Sequence, residues 1–261
     1  MMHWILQNNL YDEHAFKQLL VQLDRQDTTY DIVKVIPFSH ELQGEVTDTD
    51  DNIFVCGATS LGNISKEKGW VPGYFDDNLN MEIVHSQYKD EMLNDEMIVS
   101  KFRDVNPPSS WKEFFVRPCS DKKEFAGYVT TRYEFSDWQQ KVIDLEGNSS
   151  YTSLSSDDDV IIAPVKHINA EYRFFVVDGK VVTGSLYKQG SRVFYSDHVD
   201  ACVTEYAQKM VDMWQPNRAF CLDVADVDSK YKVIEINAIN SAGFYALNMG
   251  KFVNAINSME F

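Results

Sequence analysis

Three oxygen-bearing side chains, Asp223, Glu235 and Asn237, interrupt two otherwise apolar runs near the end of this 261-residue sequence. The runs, Ala219-Phe-Cys-Leu-Asp-Val-Ala and Tyr231-Lys-Val-Ile-Glu-Ile-Asn, flank a polar turn from Asp226 to Lys230 and read as a β-hairpin. Alternation along a strand puts Val233, Glu235 and Asn237 on one face and Ile234 and Ile236 on the other. Asp223 stands alone among Phe220, Cys221, Leu222 and Val224. A carboxylate in such company is costly to bury without a partner. A hard divalent cation is one such partner, since magnesium takes one or two carboxylates together with waters and phosphates. Plain solvation at a hairpin edge is the other reading. The loop that follows, Ala238-Ile-Asn-Ser-Ala-Gly-Phe, is dense in small residues and suits close approach of an anion or ligand.

A second set of charges lies upstream. Glu171-Tyr-Arg-Phe-Phe-Val-Val and Lys180-Val-Val-Thr-Gly-Ser-Leu-Tyr-Lys surround Asp178-Gly179, the strongest short-range hairpin signal. Without a bulge, 177 pairs with 180, 173 with 184 and 171 with 186, so Glu171, Arg173 and Lys188 share a face. Three charges converging on a greasy hairpin are consistent with a nucleotide site; a solvated face is the alternative. Further upstream, Phe114 to Val116 is a strand ending at Arg117-Pro118, followed by Asp121, Lys122 and Lys123. Arg117 can direct two N–H donors at phosphate oxygens and Lys123 adds a point charge. Taken alone, this stretch reads first as an exposed basic turn. Gly57-Ala-Thr-Ser follows a strand but lacks G-x-G-x-x-G and a Walker lysine, so it reads mainly as a turn.

These side chains need a frame. Strands at His3–Gln7, at Asp31–Phe38 and from Ile53, with an amphipathic helix over Asp12–Arg25, argue a small open α/β domain. Helices are expected over Gln87–Leu93, Ser136–Leu145, Asp197–Trp214 (N-capped by Ser196 or Asp197) and Gly250–Met259. In the third of these, Val199, Cys202, Val203, Tyr206, Met210 and Trp214 form a core stripe. Asn106-Pro-Pro-Ser-Ser breaks the chain, Val160–Val165 is a buried strand, and Gly190–Ser196 is a loop carrying Arg192. Residues 147–159 form a polar loop, either plain surface or a lid over a nucleotide.

Composition narrows the class. With 44% hydrophobic and 13% aromatic residues the chain can bury a sizeable core. A net charge of −16 opposes binding to nucleic acid or anionic membrane, whose phosphates need Lys and Arg. No run approaches the length of a membrane span and the start is unlike a signal peptide, so a cytoplasmic protein is expected. The four cysteines and six histidines show no ligand or triad spacing.

Together these stretches resemble the ATP-grasp ligases. Asp223 on one strand, then Glu235-Ile-Asn237 and Asn240 a few residues on, is similar to the metal-binding end of that fold. Arg117-Pro118, followed by Ser120-Asp-x-Lys-x-Phe-x-Gly, stands where most relatives carry Lys-Pro and looks like an often phage-borne clade of amide-forming ligases. The resemblance covers roughly residues 100–245 and is topological before that. It implies a mixed α/β chain with the ATP-grasp fold: an N-terminal open α/β domain at 1–97, a first grasp subdomain at 98–165 and a C-terminal subdomain at 166–261. It further implies that Asp223, Glu235 and Asn237 hold magnesium and that Ala163, Pro164 and Val165 lie beside adenine. Glu171 would take the ribose hydroxyls. Arg117, Lys123, Arg173 and Lys188 would contact phosphates or the acyl substrate, and Asn240, Ser241 and Gly243 would shape the acyl-phosphate end. Arginine in place of the usual lysine, and a hinge without its common acidic residue, depart from the family pattern.

The expected activity is an ATP- and magnesium-dependent ligase joining a carboxylate to an amine, with amino acid or peptide substrates. A small-molecule kinase and a non-catalytic nucleotide-binding protein are the alternatives.

Overall fold

The computed structural model describes residues 1–36, 41–47, 49–119, 124–145 and 154–261. Its first sheet is built around β1 (Met2–Gln7), whose six residues are all buried because parallel neighbours flank it on both sides. α1 (Glu13–Arg25) starts where the Asp12 carboxylate accepts the Ala15 N–H. It is followed by β2 (Tyr30–Val35), β3 (Leu42–Gln43), β4 (Asn52–Cys56), α2 (Thr59–Lys68) and β5 (Pro72–Gly73). The sheet order β3-β2-β1-β4-β5, parallel except at β3, is the open α/β arrangement expected. Positions 37 and 38 of the expected second strand lie outside the described residues. The Gly57–Ser60 stretch is a turn into α2: Gly57 N–H goes to Asn240 O and Ala58 N–H to Gln7 Oε1.

The middle of the chain holds α3 (Met81–Tyr88), β6 (Ile98–Lys101), β7 (Glu113–Pro118), β8 (Tyr128–Thr131), α4 (Arg132–Asp144) and β9 (Asp159–Pro164). In place of the helix expected over Gln87–Leu93 the α-helix runs Met81–Tyr88, started by Asn80 capping the Glu82 N–H, and only a 3-10 turn follows at Lys89–Glu91. α4 likewise starts before Ser136, set by a reciprocal capping box between Thr131 and Glu134. The four strands form an antiparallel sheet in the order β6-β9-β7-β8 over a core of Phe102, Phe114, Phe135 and Val160. The lid question falls largely on residues 146–153, outside the described residues.

The last part contains β10 (Ala170–Val177), β11 (Lys180–Gln189), β12 (Arg192–Ser196), α5 (Ala201–Met213), β13 (Ala219–Val227), β14 (Lys230–Ala238) and α6 (Met249–Asn257). Both expected hairpins form, each with left-handed backbone at both turn positions, Asp178-Gly179 and Asp228-Ser229. The strands make one antiparallel sheet, β12-β11-β10-β13-β14. Two expectations change here. Residues 192–196 are an edge strand, not a loop, and the helix starts four residues later than read, capped at Asp200. Ser196 belongs to β12, and its hydroxyl accepts the His198 N–H before the helix can start. The buried side of α5 is Val203, Ala207, Met210 and Val211, while Cys202 is exposed.

The chain packs as two compact units, one of Met1–Asn78 with Ile168–Phe261 and the other of Leu79–His167. This differs from the division at 97/98 and 165/166. The reason is α6, which packs on α1 and joins the C-terminal sheet and the N-terminal sheet into one core. In that core Trp4 lies 4.6 Å from Phe54 and 5.7 Å from Phe252, and Phe252 lies 5.2 Å from Phe175 on β10. The indole N–H of Trp4 is satisfied by Asn257 Oδ1 at 2.8 Å. No helix among the described residues is long and apolar enough to cross a membrane.

Candidate active site

One face of the β10–β14 sheet changes character along its length. Near the Asp178-Gly179 turn it presents Phe175, Val177, Ala219 and Cys221 to the core. At the other end the same strands carry charges. Arg173 opposes Asp223 across β10 and β13, and Asp223 opposes Glu235 across β13 and β14. Opposed residues share a face, so all three converge.

Bulges set the details. In the first hairpin two register shifts leave Val182 and Tyr187 without an opposite residue, so Glu171 opposes Lys188 directly and Arg173 opposes Ser185. The shared face of Glu171, Arg173 and Lys188 survives, because two one-residue shifts restore the alternation. In the second hairpin Val224 opposes Val233, which leaves Ile234 as the extra residue. Val233 therefore turns to the buried face with Ile236, and does not accompany Glu235 and Asn237 as strict alternation predicts.

Arg173 and Lys188 are both paired. Arg173 Nε donates to Asp223 Oδ1 at 2.8 Å and Nη2 donates to Oδ2 at 2.6 Å. Both residues are buried, Asp223 to 1% exposure and Arg173 to 8%. Lys188 Nζ donates to Glu171 Oε1, and the Tyr187 hydroxyl donates to Glu171 Oε2 at 2.9 Å. Asn237 Nδ2 bridges the remaining carboxylates, 3.1 Å from Glu235 Oε1 and 3.4 Å from Asp223 Oδ2. Burial raises the Asp223 carboxyl above the usual range; the Arg173 charge opposes this, while Glu235 and Glu171 add to it. Burial raises the Tyr187 phenol far beyond its ordinary value, with Asp223 and Glu171 reinforcing, so Tyr187 remains a donor.

A family model for an ATP-grasp domain, the second family of its clade, matches residues 93–255. This chain belongs to that ATP-grasp family. No curated protein matches the sequence. Among solved structures, the D-alanine-D-alanine ligase from Coxiella burnetii is similar with a TM-score of 0.62 at 12% identity, covering 98% of this chain and 90% of that one. The D-cycloserine synthetase DcsG gives 0.60 at 12% identity and the ATP-grasp ligase PsnB, complexed with a minimal precursor, gives 0.57 at 10%. Each covers 98% of both chains. At these identities the likeness concerns the fold, which is ATP-grasp.

In this ATP-grasp chain the donor set suits a hard cation. Asp223 Oδ2 and Glu235 Oε1 both address the Asn237 amide, whose terminal O and N exchange by a half-turn. Oxygen ligands from two carboxylates and one amide leave further positions for phosphates and water, as magnesium prefers. No group of three or more His, Cys, Asp or Glu is assembled for a metal among the described residues.

The other expected site residues lie on other elements. In the unit of residues 79–167, Arg117 is the penultimate residue of β7, opposite Ile161, while Ala163 and Pro164 end the adjoining β9 and Val165 follows, exposed. Lys123 lies outside the described residues. Asn240 is fully buried, away from the charged face. Its Oδ1 accepts from Phe75 N, and its Nδ2 donates to Val55 O and Gly73 O. That geometry is a strut between the loop after β14 and the first sheet. Ser241 beside it is half-buried and lies within hydrogen-bonding reach of Tyr74.

Two residues escaped sequence reasoning. Tyr187 and Tyr245 stack with centroids 4.8 Å apart, and Arg173 Cζ lies 5.7 Å and 5.0 Å from their respective rings. Tyr187 reaches this place only through its bulge, and Tyr245 through the left-handed backbone (φ 48°) after the small-residue loop. Neither feature leaves a mark in hydrophobic periodicity.

Proposed function

We propose that this protein is an ATP-dependent carboxylate–amine ligase that works through an acyl phosphate. The observation that carries the reading is the convergence of Asp223, Glu235 and Asn237 at one point of the β13–β14 hairpin. Asp223, Glu235 and Asn237 would hold magnesium, whose charge offsets that of the β- and γ-phosphates during transfer.

Lys188 would direct its N–H donors at phosphate and carboxylate oxygens, the task that the family resemblance also gives Arg117 and Lys123. The Glu171 oxygens, oriented by Lys188 and Tyr187, keep lone pairs for the ribose hydroxyls. The family resemblance gives the backbone of Ala163, Pro164 and Val165 to the base. Ser241 and Gly243 line the acyl end of the loop that Asn240 anchors. A substrate carboxylate oxygen attacks the γ-phosphorus and ADP leaves. An amine nitrogen then attacks the acyl carbon, phosphate leaves, and the nitrogen releases a proton. Amino acid or peptide substrates are supported by neighbours of the same fold, a D-alanine-D-alanine ligase and PsnB with its precursor peptide.

The test is calorimetric titration with ATP, with and without magnesium, on the wild type and on Glu235→Ala, followed by screening amino acids and peptides for ADP release. Magnesium-dependent binding lost in the variant supports the reading. Full magnesium-dependent turnover by Glu235→Ala removes the metal assignment, and a stable phosphorylated product without an amide makes the protein a kinase.

A further inference from the structure

A phosphate contact must turn its N–H groups toward an incoming oxyanion. Arg173 does not. Its fork closes on both oxygens of Asp223, and its guanidinium lies against the stacked rings of Tyr187 and Tyr245. A planar guanidinium is suited to this double task, because it meets a carboxylate edge-on while its face meets an aromatic ring. Asp223 is nearly inaccessible, and Oδ2 is the atom that also faces Asn237 Nδ2.

We propose that Arg173 is a positioning residue for Asp223: it holds the carboxylate so that Oδ2 is presented to Asn237 and Glu235, and Tyr245 with Tyr187 fixes the guanidinium. The inference rests on the metal reading given above, and it reassigns Arg173 from the phosphates to the metal ligand. One lone pair of Oδ2 serves the fork and another is left for a cation. Without the fork the side chain of Asp223 would turn among neighbouring carboxylates, and the shared point with Glu235 would be lost.

Manganese serves as the probe ion, its binding followed in the absence of nucleotide by the loss of free-ion paramagnetic resonance. ATP binding is measured separately by calorimetry in a chelator. Arg173→Lys keeps the charge and removes the fork. It is expected to weaken manganese binding at least tenfold while ATP binding without metal changes less than twofold. Tyr245→Leu, which alters no charge, is expected to weaken manganese several-fold in the same direction. If Arg173→Lys instead weakens metal-free ATP binding tenfold and spares manganese, Arg173 is a phosphate contact and the inference is overturned. Both affinities within twofold of wild type overturn it as well. Should Arg173→Lys not fold, judged by its thermal melt, Tyr245→Leu decides by the same comparison. Wild-type protein that binds neither manganese nor ATP defeats the metal reading itself, an outcome distinct from either of these.

Discussion

Asn240 Oδ1 accepts a 2.8 Å hydrogen bond from the backbone N–H of Phe75, 165 residues earlier in the chain. The contact ties the loop following the acidic hairpin to the end of the N-terminal sheet, and the Asn240 amide extends it to Val55 O and Gly73 O. Truncating this side chain leaves a buried N–H without a partner. Asn240→Ala is expected to cost about 2–4 kcal/mol in urea unfolding, the scale of a buried donor left unmade with its companions. Nucleotide binding by the folded fraction should stay as in the wild type. A large fall in affinity at full stability would return Asn240 to the substrate.

Lys188 has one oxygen of Glu171 as its partner, and its side chain is 39% exposed. It is an accessible cation of the charged face, in contrast to Arg173. Lys188→Met should weaken magnesium–ATP binding by about tenfold, the order of a single charge-assisted hydrogen bond. Unchanged affinity by calorimetry would limit Lys188 to orienting Glu171.

Gly184 sits opposite Phe174 on β10, and a Cβ there would lie 2.6 Å from the Phe174 ring, which is itself fully buried. Gly184→Ala therefore forces the ring or the strand to move. A loss of about 1–3 kcal/mol is expected, as for other overpacked cores, seen as a lower melting temperature. A melt unchanged from wild type would mean that the hairpin yields at no cost.

Acid stability should carry the signature of Asp31. Burial acts to raise this carboxyl, but hydrogen bonds from the Thr47 N–H, His3 and the Thr47 hydroxyl outweigh it and hold it below its ordinary value of 3.8. A group depressed in the folded state contributes stability above its unfolded value and loses it as the pH falls through the folded one. Unfolding midpoints measured from pH 6 to pH 2 should drop in the wild type below about pH 4 and drop less in Asp31→Asn. Parallel curves for the two proteins would exclude the linkage.

Much of this frame is legible in the residues alone. Asp178-Gly179 between β-rich runs specifies a hairpin, because only left-handed positions match the twist of its strands. The common face of Glu171, Arg173 and Lys188 follows from alternation, and it holds because the two bulges of β11 cancel. The isolation of Asp223 among apolar neighbours likewise marks it for a special role, since an unpaired carboxylate cannot be buried cheaply.

Other features were decided only by the tertiary structure. Periodicity is a local property, whereas a bulge arises from how two strands meet, and so Val233 turns inward and Tyr187 reaches Glu171. The partner of Asp223 is Arg173, 50 residues away and joined to it by the register of β10 with β13. The role of Asn240 depends on a sheet formed by the first 78 residues, which α6 brings into the same core. Alternation selects the face on which a charge sits; the charge it meets there depends on strands brought together by burial of apolar surface between distant parts of the chain.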